Sequence, residues 1–138
     1  MGEKKIVVLD TNILISAFGW KGKPNEIFSK VINGEFKLIM SRKQLEEVEM
    51  VIEYPKFSFT NDQKDRFLMV LLNTVNIVET NGELRLIKDD PKDDVILESA
   101  IENDVDFLIS GDEHLLKIKK YSNTKIVTAA EFLELIKN

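Results

Sequence analysis

The chain has 138 residues, no cysteine and a single histidine. That length suits one domain with a real core, and 43% hydrophobic against 31% charged residues is a globular balance, not a disordered one. Lack of cysteine excludes disulfides, thiolate zinc sites, iron–sulfur clusters and cysteine nucleophiles, and a lone histidine argues against multi-histidine metal sites and most histidine-paired nucleophiles. With 24 acidic and 19 basic residues the net charge is −5, which argues against purely electrostatic binding of nucleic acid. No apolar run approaches the roughly 20 residues of a bilayer span. Met1 to Lys5 leads straight into Ile6-Val7-Val8-Leu9, too short for a signal peptide, so a cytoplasmic protein is expected.

Taken in order, Lys5 to Leu9 is a β-branched run that predicts a strand buried on both faces. A short helix follows over Asn12 to Phe18, then a loop from Trp20 to Pro24. Pro24 suits the first turn of a helix over Asn25 to Asn33, which Gly34 stops. Phe36 to Met40 is a second strand. Ser41 and Gln44 have capping-box spacing and open a helix that ends before Pro55. Thr60 and Gln63 repeat that spacing ahead of a helix with Phe67, Leu68, Leu71 and Leu72 on one face. A short strand over Asn76 to Glu79, a helix after Asp90 with Leu97, Ala100 and Ile101 inward, and a strand over Asp106 to Ile109 come next. A short helix at Gly111-Asp112, a strand over Lys125 to Val127 and a helix over Ala129 to Lys137 complete the pattern. There is no repeat and no linker, so one domain over residues 1–138 is expected. Strands alternating with helices predict an α/β fold, a three-layer α/β/α sandwich around a mostly parallel sheet of about five strands.

In such a sheet the working crevice lies at the carboxyl ends of the strands, and acidic groups recur there. Asp10 follows the first strand directly. Glu46, Glu47 and Glu49 ride on the helix after the second, Asp89, Asp90, Asp93 and Asp94 precede Val95, and Asp112 follows Ile109 by three positions. Gathered carboxylates repel one another, so a hard divalent cation, Mg²⁺ or Mn²⁺, is the natural neutralising partner. Such a site can activate water and offset charge on a phosphodiester. Asp90 and Asp112 also fit as plain helix caps. Asp10 is harder to explain that way, because a carboxylate after a buried central strand is costly to desolvate. At about 100° per residue Glu46 points away from the stripe of Leu45, Val48, Val51 and Ile52, whereas Glu47 and Glu49 lie on its two flanks; this geometry leaves those two open.

Together these residues resemble a PIN-domain nuclease. The resemblance is carried by Val8-Leu9-Asp10-Thr11-Asn12, by Ser41 with Leu45-Glu46-Glu47-Val48, by Asp90-Pro91-Lys92-Asp93-Asp94 before Leu97 and Ala100, and by Leu108-Ile109-Ser110-Gly111-Asp112 with Leu115-Leu116. It spans Lys5 to Leu135 and looks most like the VapC-like toxin components of toxin–antitoxin pairs, as do Tyr54-Pro55-Lys56-Phe57 and the ending Ile126 to Leu133. The resemblance implies an endoribonuclease that cuts single-stranded RNA with one or two Mg²⁺ or Mn²⁺ ions. It implies Asp10, Glu47, Asp93 and Asp112 as catalytic acids, with Asp10, Asp93 and Asp112 on the metal and Glu47 preferred over Glu49. Thr11, Asn12 and Ser110 match supporting polar positions. An antitoxin partner and a homodimer are implied too, the latter through the third and fourth helices. The chain departs from the family at His114, where a further Asp is frequent, and at Ala129, where Pro is.

Lys21, Lys23 and Arg42 are candidate substrate contacts, as are Lys43, Lys117, Lys119, Lys120 and Lys125, although surface lysines are ordinarily just solvated. Trp20 suits either stacking on a base or anchoring a loop. His114 reads as a surface residue or one behind the site. A haloacid-dehalogenase-type phosphotransferase needs an acid two places after its nucleophile, and Asn12 stands there. A receiver-like switch needs an acidic pair before the phosphorylated strand end and a lysine after a late strand, and the first strand carries only Asp10. A non-catalytic PIN fold that binds RNA or protein is the remaining alternative.

Overall fold

The computed structural model describes residues 4–80 and 91–137, with residues 91–93 described as backbone. Six strands are found among these residues, in the order β3-β2-β1-β4-β6-β5. β1 (Lys5–Leu9) is central, between β2 (Phe36–Ser41) and β4 (Phe107–Ile109). β3 (Asn76–Val78) and β6 (Thr124–Val127) continue the parallel pairing outward, and β5 (Lys120–Tyr121) closes one edge antiparallel to β6. About five strands were expected, and β5 is the addition. Two residues carry no periodicity, so only their pairing across the turn at Ser122 and Asn123 makes them a strand.

The pleat sorts each strand between two cores. Val7, Leu9, Leu38, Met40, Ile109 and Val127 face one cluster, with α1 (Thr11–Gly19), α2 (Lys23–Ile32), α3 (Arg42–Val51), α4 (Asn61–Thr74) and α7 (Ala129–Leu135) supplying its other members. Val8, Ile39, Leu108 and Ile126 face the other, against α5 (Pro91–Glu102) and α6 (Glu113–Leu116). Helices therefore cover both faces, which is why the central strands are near-continuous apolar runs. Burying a side chain such as Leu9 or Leu108 contributes about 1.5–3 kcal/mol.

The helix signals mostly act as their chemistry dictates. Pro24 sits in the first turn of α2, and Gly34, at φ 83°, turns the chain toward β2. Thr60 and Gln63 form a reciprocal capping box, as do Thr128 and Glu131. Ala129 is therefore the first residue of α7, a position where Pro is also at home. At α3 the box is half formed: Ser41 Oγ accepts the Gln44 amide, but the Gln44 side chain goes elsewhere. Leu72 shares the apolar face of α4 but is 53% exposed, because α4 buries only Phe67 and Leu71.

A string of aromatic rings ties the end of α1 to the start of α4. Phe67 stacks on Phe18 at 4.5 Å, Phe18 meets Phe59 edge-on at 6.1 Å, and Phe57 stacks on Phe59 at 5.6 Å. Trp20 ends the string, 6.3 Å from Phe57 and 6.1 Å from Phe59. Gly19 has no Cβ where one would lie 3.2 Å from the Phe59 ring. Trp20 is thus a loop anchor, though 54% of it remains exposed.

Candidate metal centre

Each helix that follows a parallel strand starts at the carboxyl edge of the sheet, and this topology fixes where the acids sit. Asp10 follows β1, donates its amide to Ile109 O at 2.9 Å and precedes α1. The same edge holds Ser41 and the start of α3, the start of α5, and Ser110 to Asp112 after β4. α3 touches both α1 and α5, so the elements carrying the four predicted acids are neighbours.

Two of those acids are joined through Ser110. Its hydroxyl donates to Asp10 Oδ2 at 2.6 Å and accepts the Asp112 amide at 3.0 Å. Asp10 and Ser110 are buried, and Asp112 is half-buried. Burial pushes the Asp10 carboxyl above the usual carboxylate range, and the nearby charge of Asp112 pushes the same way. The Ser110 hydroxyl and the amides of Asn12 and Thr11 oppose that rise without cancelling it. The Asn12 and Thr11 amides lean toward the carboxylate without completing a cap of good geometry. Asp112 is also a true cap, its Oδ1 accepting the His114 amide at 2.7 Å. The cap and site readings of Asp112 are thus compatible, since one carboxylate offers several lone pairs.

Glu47 is half-buried, whereas Glu46 and Glu49 are exposed, so of the two flank positions only Glu47 turns toward the body of the molecule. Asp93 lies in the first turn of α5, and its side chain is outside the described residues, as are Asp89 and Asp90. Thr11 is buried and Asn12 is exposed. Among the substrate candidates, Arg42 is held by Glu79 at 2.6 Å, which raises its pKa further. That pair follows from register, since Ser41 stands opposite Val78. Lys21 and Lys23 are exposed on the α1–α2 connection and form no ion pair among the described residues.

Two features escaped the sequence reading. Gln44 is fully buried, its Nε2 donating to Leu9 O at 2.7 Å and more loosely to Thr11 Oγ1 at 3.4 Å. It therefore grips the residues on either side of Asp10. Asp94 and Glu98 are also buried, at 6% and 5% exposure. Their i, i+4 spacing, which puts both on one face of α5, was the available signal.

The described donors suit a hard divalent ion: they are oxygens, the charge is negative, and neither Asp10 nor Asp112 has a cationic ion-pair partner among the described residues. No group of three metal-binding side chains comes together among those residues.

Comparison with known proteins agrees with this architecture. The PIN domain family matches residues 6–114, and the chain belongs to that family. No curated protein is significantly similar in sequence. A chain in the crystal structure of VapBC2 from Rickettsia felis bound to a DNA fragment from their promoter has the same fold. Its TM-score is 0.62 at 17% identity, over 88% of this chain and 96% of that one.

Proposed function

We infer that this PIN domain is a divalent-metal-dependent endoribonuclease that hydrolyses phosphodiesters of single-stranded RNA, and that it is the cytoplasmic toxin of a toxin–antitoxin pair. The observation that carries the enzyme reading is the Asp10–Ser110–Asp112 chain at the carboxyl edge, where one hydroxyl binds the Asp10 carboxylate and the Asp112 amide and neither carboxylate has a cationic ion-pair partner among the described residues. Asp10, Asp93 and Asp112 would hold Mg²⁺ or Mn²⁺, with Glu47 completing the shell or orienting the attacking water. When bound, the cation supplies charge offset on the phosphate and eases deprotonation of a water. Ser110 holds Asp10 in place and keeps its charged form accessible, and Gln44 fixes the backbone on both sides of Asp10. Thr11 supports that grip, and Asn12 offers its amide to the carboxylate.

The toxin reading is supported by the likeness to VapBC2, and by analogy the partner is an antitoxin. Exposed Met50 on α3 and Met69 and Leu72 on α4 support a homodimer. The deciding experiment is cleavage of a mixed RNA pool with Mn²⁺, with EDTA, and with Asp93→Asn. Cleavage should require the ion and fall at least a hundredfold in the variant; activity that survives either treatment overturns the mechanism. If the wild type binds no divalent ion at millimolar concentration, the chain is a binding module.

A further inference from the structure

β5 forms the sheet edge, and its Lys120 stands directly opposite Lys125 of β6. Like charges in a directly opposed cross-strand pair weaken the pairing. Lys119, just before β5, has φ 66°, a left-handed backbone at which glycine is the comfortable residue. The position is nonetheless pinned: the Lys119 amide donates to Leu116 O at 3.1 Å, and its carbonyl accepts the Ile126 amide at 2.8 Å. Three lysines thus share one hairpin, two of them as an opposed like-charge pair and the third on a left-handed backbone. None of them forms an ion pair among the described residues.

They line an open cleft of about 410 Å³ with Leu116, Ile126 and Thr128. The carboxylate that shares this lining, Glu131, has Oε1 engaged by the Thr128 amide at 2.9 Å. The cleft also reaches the acids. Val127 borders it, and the Val127 carbonyl accepts the Ser110 amide at 3.0 Å. One end of the cleft is therefore one strand away from the Asp10–Ser110–Asp112 chain.

We propose that this cleft is a phosphate subsite that holds the backbone of single-stranded RNA beside the bond to be cut. The proposal rests on the nuclease reading for its substrate, and the lysines give it a binding role of its own. A single strand repeats one negative charge per nucleotide, so one phosphate seated on Lys119, Lys120 and Lys125 leads its neighbours along the carboxyl edge. The apolar walls from Leu116 and Ile126 leave room for a base to lie against the cleft.

The test is anisotropy of a short labelled single-stranded RNA of mixed sequence, titrated in EDTA at several salt concentrations. A Lys119→Gln/Lys120→Gln/Lys125→Gln variant should bind at least tenfold more weakly at low salt. Its salt dependence should flatten by about 2 in log–log slope, since each lost single-strand phosphate contact removes about 0.7. Lys4→Gln/Lys37→Gln, which removes two charges at the amino ends of β1 and β2, should bind at least threefold more tightly than the triple variant. The triple variant should melt no lower than the wild type, since a repulsive pair is gone. Wild-type affinity in the triple variant, or no RNA binding by the wild type, overturns the proposal. So does tighter lysine-dependent binding of a polyglutamate peptide than of RNA, which would make the cleft a protein-docking site. Weakened RNA binding in the triple variant upholds the subsite even if the wild type cuts no RNA with Mn²⁺, an outcome that sinks the nuclease reading alone.

Discussion

Asp10 carries a conflict. A carboxyl whose folded pKa lies above its unfolded value binds its proton more tightly in the folded state. Its stabilising contribution is therefore full below the unfolded pKa and is lost as pH rises through the raised folded value, so at neutral pH the ionised group opposes folding. Asp10→Asn should accordingly melt higher than the wild type at pH 7 in EDTA, by about 4 °C for each kcal/mol relieved. The gap should close as pH falls below the unfolded carboxylate range. Equal melting temperatures at pH 7 would mean that Ser110 and the Thr11 and Asn12 amides already stabilise the charge fully. Asp112 shows how much one residue's sequence context can leave open. Its spacing allowed both a cap and a ligand, and the structure gives it the cap while leaving it beside Asp10.

At the scale of elements, α3 shares an apolar core with β1 and is hydrogen-bonded to it through Gln44. Gln44 Nε2 satisfies the Leu9 carbonyl while Gln44 Oε1 is buried without a hydrogen-bond partner among the described residues. Gln44→Met keeps the volume, strands the Leu9 carbonyl and removes the orphan oxygen. The lost donor outweighs the gain because it served two acceptors, and the variant should be less stable by about 1–2 kcal/mol in urea unfolding. A stabilised variant would show that the orphan oxygen dominates. The helices and buried strands were legible because apolar periodicity and caps are local signals: Lys5–Leu9, the Thr60–Gln63 box and the Leu97–Ala100 face needed no distant partner. What sequence could not show depends on tertiary contact. The Ser41–Gln44 spacing read as a reciprocal box, yet the amide turned to a carbonyl 35 residues away. β5 exists through its pairing alone. Helix periodicity puts Glu47 and Glu49 on equivalent flanks, and packing sets them apart in the fold.

For the molecule as a whole, a cation that binds the folded state alone must stabilise it. Mn²⁺ at a hundred times its dissociation constant should add about 2.7 kcal/mol to the wild type. Asp10→Asn should gain far less, so the order of melting temperatures seen in EDTA should narrow or reverse. A rise of the same size in both proteins would place the ion elsewhere.

The aromatic string has a practical corollary. Trp20 is the single tryptophan of the chain and sits at the outer end of that string. Indole fluorescence therefore reports one local junction, whereas far-UV ellipticity averages every helix. Emission should shift to the red at lower urea than the ellipticity is lost, and Phe59→Leu should widen the separation. Coincident transitions in both proteins would instead mean that the junction melts only with the rest of the chain.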